Sequence, residues 1–121
     1  MANERFKKLV AETKTRITEI SPAEAAEAVR GGALLIDVGP RDDFAEAHAA
    51  GARHISRGML EVEIEDIVPA PETPILCYCG GGSRSALATE SFQKMGYTNA
   101  KSIAGGSKAW SAAGLPTERA N

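Results

Sequence analysis

The chain has 121 residues, the usual size of one domain, and size scaling lets it bury roughly two-thirds of the surface its unfolded form exposes, enough for a single core. Lys and Arg total 14 against 16 Asp and Glu, a formal net charge of -2, a balance that draws the chain neither to nucleic acid nor to an anionic membrane. No stretch approaches the ~20 apolar residues of a membrane span, and the first eight residues lack the apolar centre of a secretory signal, so a cytoplasmic protein is expected.

Residues 2–16 place Phe6, Leu9, Val10 and Thr13 at the spacing of an amphipathic helix of about four turns. Isolated helices of that length are marginal, so it must pack on the domain or on a second copy, and self-association is one answer. Residues 17–20 form a short candidate strand. Ser21-Pro22-Ala23-Glu24 is a strong helix start, with Ser as N-cap, Pro first and Glu third, and the helix runs to Arg30 before Gly31-Gly32. The continuous apolar run of residues 33–38 has one acid, Asp37, near its end, as in a central parallel strand. Gly39-Pro40 breaks it. A short helix follows over residues 41–47, with Asp42 and Asp43 in its first turn and Phe44 as its buried anchor. Residues 51–56 read as another short strand. Residues 59–68 have no clear period, and a loop with a helical turn is as good a reading there as a strand.

Residues 75–78 form a buried strand, 85–95 a helix ended by Gly96, 100–103 a last strand, and 107–112 a helix stopped by Gly114 and Pro116. Strands alternating with helices predict an α/β fold, a small parallel sheet of about five strands covered by helices on both faces. No repeat or linker divides the chain, so residues 1–16 are read as an N-terminal helical extension and 17–121 as one domain.

The chemistry concentrates in Cys79-Gly80-Gly81-Gly82-Ser83-Arg84-Ser85, between a strand and a helix. Ligands of open α/β sheets bind beyond the carboxyl ends of the strands, where this loop lies. Three glycines permit φ > 0 and close backbone approach, so the N–H groups of Gly80 to Arg84 are free to converge on one anion, aided by the following helix dipole. A helix N-terminus draws a thiol below its ordinary value, which makes Cys79 a reactive thiolate near neutral pH. An inert buried thiol beside a tight turn is the plainer reading of the same residues, and the loop with its helix start weighs against it. Cys77 has no such loop and reads as core packing. Cys77 and Cys79 sit one residue apart, too far along a strand for a disulfide and not in a redox Cys-x-x-Cys spacing.

These residues resemble a single-domain rhodanese. The stretch Leu35-Ile36-Asp37-Val38, Asp43-Phe44, His48, Gly51-Ala52 is similar to that family's early block. Cys79 to Ser85 resembles its active loop, with Cys79 in the catalytic place and Arg84-Ser85 at the Arg-Ser ending. Ile103-Ala104-Gly105-Gly106-Ser107-Lys108-Ala109-Trp110 with Gly114-Leu115-Pro116 resembles its C-terminal signature. The departures are Gly39 where many members have Arg, Ala47 before His48, Ala49-Ala50 for Ile-Pro, and a Gly-Gly-Gly-Ser loop where many carry a charged residue.

The resemblance implies a thiosulfate sulfurtransferase. Cys79 takes a sulfane sulfur from a small anionic donor, holds it as a persulfide and passes it to cyanide, a thiol or a partner protein's cysteine. Gly80, Gly81, Gly82, Ser83 and Arg84 bind the anion, Asp37 and Ser85 support the site, and no cofactor or metal is called for. Arg84 is expected to pair with Asp37 or Glu90, and Arg41, Arg53 or Arg57 to supply the cation that the loop lacks. Two other classes compete. A cysteine phosphatase or arsenate reductase of related fold needs five residues between Cys and Arg, whereas Cys79 and Arg84 leave four and Cys77 and Arg84 six. A non-catalytic binding module generally lacks the cysteine. His48 and His54 have no partners at metal-site spacing, so His48 is read as bonding backbone near a helix end, and Trp110, Phe44 and Phe92 as core.

Overall fold

The structure, a computed structural model, describes residues 3–120. Its centre is a five-stranded parallel sheet in the order β1-β6-β5-β2-β4, made of Glu19–Ile20, Ala100–Ile103, Ile75–Tyr78, Leu34–Asp37 and Arg53–His54. Leu34 to Asp37 register against Ile75 to Tyr78, and Cys77 against Ser102, so the carboxyl ends of the three middle strands share one edge. Successive strand residues point to opposite faces. Ile36 and Cys77 therefore enter one core cluster with Val38, Ile64 and Phe92, and Leu35 and Leu76 enter the other with Ala25, Ile103 and Trp110.

The helices divide between those faces. Pro22–Arg30 (α2) and Gly106–Ala112 (α6) cover one, and α2 starts with the expected capping box between Ser21 and Glu24. Leu60–Ile67 (α4) and Ser83–Lys94 (α5) cover the other. The stretch without a clear period is thus α4, entered through a single 3₁₀ turn at Arg57–Met59. Leu60 and Ile64, four apart, are fully buried, while Val62 projects into solvent and blurs the pattern.

Glu4–Lys14 (α1) lies on the chain's own α5. Val10 and Thr13 are buried there, and Arg16 pairs with Glu90; Phe6 and Leu9 stay exposed. Residue 2, included in the expected helix, lies outside the described residues. Arg41–Glu46 (α3) has no buried side chain: Phe44 is only half-buried and stacks on His48 with ring centroids 3.8 Å apart, instead of anchoring a core. Two strands had no sequence signal, His48–Ala49 (β3) and Thr117–Glu118 (β7), each of two residues and paired antiparallel. Tyr78 ties this ribbon to the sheet, because its buried hydroxyl accepts the Ala49 N–H at 3.0 Å.

Candidate active site

Cys79 follows the last residue of β5 and is 3% exposed, on the floor of the loop that leads into α5. The first N–H groups of a helix have no intrahelical acceptor, and Gly82, the N-cap of α5, has no side chain to offer one. The sulfur takes that place. Gly82 N–H donates to Cys79 Sγ at 3.2 Å, and Ser85 Oγ, in the first turn of α5, lies 3.7 Å from it. Burial pushes the Cys79 thiol up, but the Ser85 amide and hydroxyl and the Gly82 and Gly81 amides together outweigh it, and the group rests below the ordinary thiol value.

A second helix holds the other side of the loop. The N–H groups of Ser107 and Lys108 at the start of α6 donate to the carbonyls of Cys79, at 2.8 Å, and Gly80, at 3.3 Å. With its carbonyls turned to α6, the loop is free to turn amides toward the sulfur. This contact requires glycine at position 106. A Cβ there would stand 2.2 Å from the Cys79 carbonyl oxygen, and the residue has φ +60.

The loop glycines are not alike. Of the three loop glycines that permit positive φ, only Gly82 uses it, at φ 99. Gly80 and Gly81 have ordinary φ, and a Cβ on either would project into open space.

The supporting residues divide. Ser85 reaches the sulfur and is fully buried, and its Oγ also lies 2.9 Å from Ser102 Oγ on β6. Asp37 bonds a nearby amide, accepting the Gly39 N–H at 2.8 Å. Arg84 does not pair as expected. Glu90 is taken by Arg16 and Asp37 by Gly39, and Arg84 extends into solvent. Ser83, half-buried, opens α5. Of the three arginines proposed as a cation source, Arg57 is held by Glu61 at 2.9 Å and Ser91 at 3.1 Å, whereas Arg41 and Arg53 are exposed. His48 contacts the Phe44 carbonyl at 2.8 Å, the backbone role expected of it. Cys77 is fully buried core, its thiol pushed up to about 12 by burial.

Ser102 and the α6 amides escaped the sequence reading as site residues. A serine next to the last residue of a short strand, and a Gly-Gly pair directly before a helix, were the signals available.

Comparison with known proteins decides the family. The model of the rhodanese-like domain matches residues 21–113. The chain belongs to the rhodanese-like domain family. It is 36% identical to the thiosulfate sulfurtransferase GlpE of Actinobacillus succinogenes, a match covering 85% of this chain and 92% of that protein. Among solved structures it is similar to the 30 kDa polysulfide-sulfur transferase homodimer of Wolinella succinogenes, 27% identical with a TM-score of 0.83 over 97% of this chain and 89% of that one. It is also 31% identical, with a TM-score of 0.80 over 93% of both chains, to a Rhodopseudomonas palustris protein of unknown function described as a possible tyrosine phosphatase. The rhodanese membership agrees with the family expected from the three sequence blocks, and the five-stranded parallel sheet with the expected fold.

Proposed function

We propose that the protein is a sulfurtransferase that moves a sulfane sulfur from a small anionic donor such as thiosulfate to a thiophilic acceptor, with Cys79 as the catalytic residue. The observation that carries this reading is the convergence of the Gly82 N–H, the Ser85 hydroxyl and the start of α5 on one sulfur, in a chain similar to thiosulfate sulfurtransferases along most of its length. The Cys79 thiolate attacks the outer sulfur of thiosulfate; a new S–S bond forms, the bond between the two donor sulfurs breaks, and its electron pair leaves with sulfite. The product is the Cys79 persulfide anion. Cyanide then attacks the terminal sulfur, the S–S pair returns to Cys79 as thiolate, and thiocyanate departs. A small thiol or a partner protein's cysteine serves as acceptor in the same way.

Neither step with cyanide transfers a proton, so the site needs preorganised donors more than a general base. That fits the arrangement: amides and a hydroxyl face the sulfur, while the Asp37 carboxylate is occupied by Gly39. Gly80 to Arg84 receive the donor anion chiefly through backbone N–H groups, and the exposed Arg41, Arg53 and Arg84 are cations available to attract it.

Residues 17–121 form the catalytic domain in this reading, and α1 is an extension laid on α5. The exposed Phe6 and Leu9 suit a second copy of the chain, as does the homodimer described for the Wolinella protein. Two free, buried cysteines suit a reducing compartment such as the cytoplasm.

The test is thiocyanate release from thiosulfate and cyanide, run beside hydrolysis of p-nitrophenyl phosphate. Thiocyanate formation that vanishes in Cys79→Ser supports the reading. Phosphate ester hydrolysis without thiocyanate overturns it in favour of the phosphatase reading, against which the four residues between Cys79 and Arg84 already count.

A further inference from the structure

Two serines stand in line behind the reactive sulfur, and only the nearer one touches it. Ser85 and Ser102 are both fully buried, with Oγ atoms 2.9 Å apart, and Ser85 Oγ is 3.7 Å from Cys79 Sγ. Each hydroxyl has one proton and can also accept. Among the described residues Ser102 Oγ has no hydrogen-bond partner except Ser85. If Ser85 donated to Ser102, the Ser102 proton would be left buried without an acceptor, and the sulfur would lose its hydroxyl donor. The reverse direction satisfies every group: Ser102 donates to Ser85, and the single Ser85 proton is directed at the sulfur.

We propose that Ser102 is a positioning residue that fixes the Ser85 hydroxyl as a donor to the Cys79 thiolate, and to the same sulfur when it carries a persulfide. Both serines sit on regular elements, Ser102 on β6 and Ser85 in the first turn of α5. Ser102 sits in register with Cys77 in the sheet, and the Ser85 carbonyl is held by the Thr89 hydroxyl at 2.8 Å. Among the described residues no other side chain is hydrogen-bonded to the sulfur. Cys77 on β5 stays a buried thiol, Asp37 on β2 faces Gly39, and Arg84 on α5 and Lys108 on α6 point to solvent. Ser102 therefore acts on the sulfur from the next strand without touching substrate.

The inference rests on the reading that Cys79 is the reactive thiol, and a direct thiol measurement separates the two. The rate of Cys79 alkylation by iodoacetamide is followed against pH in the full chain, with the modified cysteine located by peptide mass. Ser85→Ala is expected to slow the reaction at neutral pH by about tenfold, the loss of one hydrogen bond to a charged group. Ser102→Ala is expected to slow it about two- to fourfold and to move the profile toward higher pH, a smaller loss because the Ser85 hydroxyl is left free to turn. The double variant S85A/S102A should match S85A alone, since Ser102 acts only through Ser85. S102T, which keeps the hydroxyl, should react as wild type, and S102V, of the same shape without it, should follow S102A; this pair carries the test if S102A fails to fold by thermal melt. An unchanged profile in S102A or S102V, or losses that multiply in the double variant, overturns the relay. A wild-type profile no lower than that of a free thiol instead overturns the reading of Cys79 itself.

Discussion

Cys77 and Cys79 are the same side chain two residues apart, both buried and in one core cluster, yet the fold gives their sulfurs opposite surroundings. Cys77 lies inside β5, where the backbone amides are committed to neighbouring strands, and burial pushes its thiol up to about 12. Cys79 lies one residue past the strand end, where the orphan amides of α5 begin, and there the same burial is outweighed by donors. In the proposed reading, reactivity follows from free N–H groups, and exposure has little part in it.

Substitutions break this comparison in a graded way. The largest effect belongs to Cys79→Ser, which should reduce thiocyanate formation to background while leaving the melting curve of a folded protein. Gly106→Ala should come next, because its Cβ would meet the Cys79 carbonyl and its backbone would be strained. A stability loss of about 3 kcal/mol or more in urea denaturation is expected, with sulfur transfer falling alongside it.

The pH dependence sharpens the contrast. Because the Cys79 value is lowered in the folded state, its alkylation should persist at pH below the range where a free thiol titrates. The matching stability term has a definite sign. Relative to Cys79→Ala, the wild type should gain stability as pH rises from the folded to the unfolded thiol value, and lose that gain as pH falls through the folded value. Chemical denaturation of both proteins across that range checks it.

Smaller effects complete the series. Cys77→Ala should cost about 1 kcal/mol through a small core cavity and leave sulfur transfer within about twofold, read by denaturation and by thiocyanate release. Gly81→Ala should change stability by less than about 0.5 kcal/mol, since its φ is ordinary and a Cβ meets open space. A large loss at Gly81 would mean that the loop differs from the one described.

Much of this was legible in the chain. The apolar runs at β2 and β5, the Ser21 capping box and the strand–glycine–helix order around Cys79 carry local signals that the packed structure retains. The partner of Arg84 was not legible. Its expected acids were claimed by Arg16, from an extension with no local tie to α5, and by the Gly39 amide. The β3–β7 ribbon was invisible because it has two residues in each strand and joins positions 70 apart, too few to show a period. Helix α4 was obscured by an exposed Val62 among its acids. The Gly105-Gly106 pair looked like a helix boundary, and only the approach of α6 to the Cys79 carbonyl shows why a side chain is refused there.

Intact mass of the reduced protein before and after thiosulfate, for wild type, Cys77→Ala and Cys79→Ser, tests most directly which cysteine carries the sulfur. The wild type and Cys77→Ala should each gain the mass of one sulfur atom and lose it again to cyanide, while Cys79→Ser gains nothing. Sulfur gained by Cys79→Ser and absent from Cys77→Ala would contradict the assignment and place the chemistry on the wrong thiol.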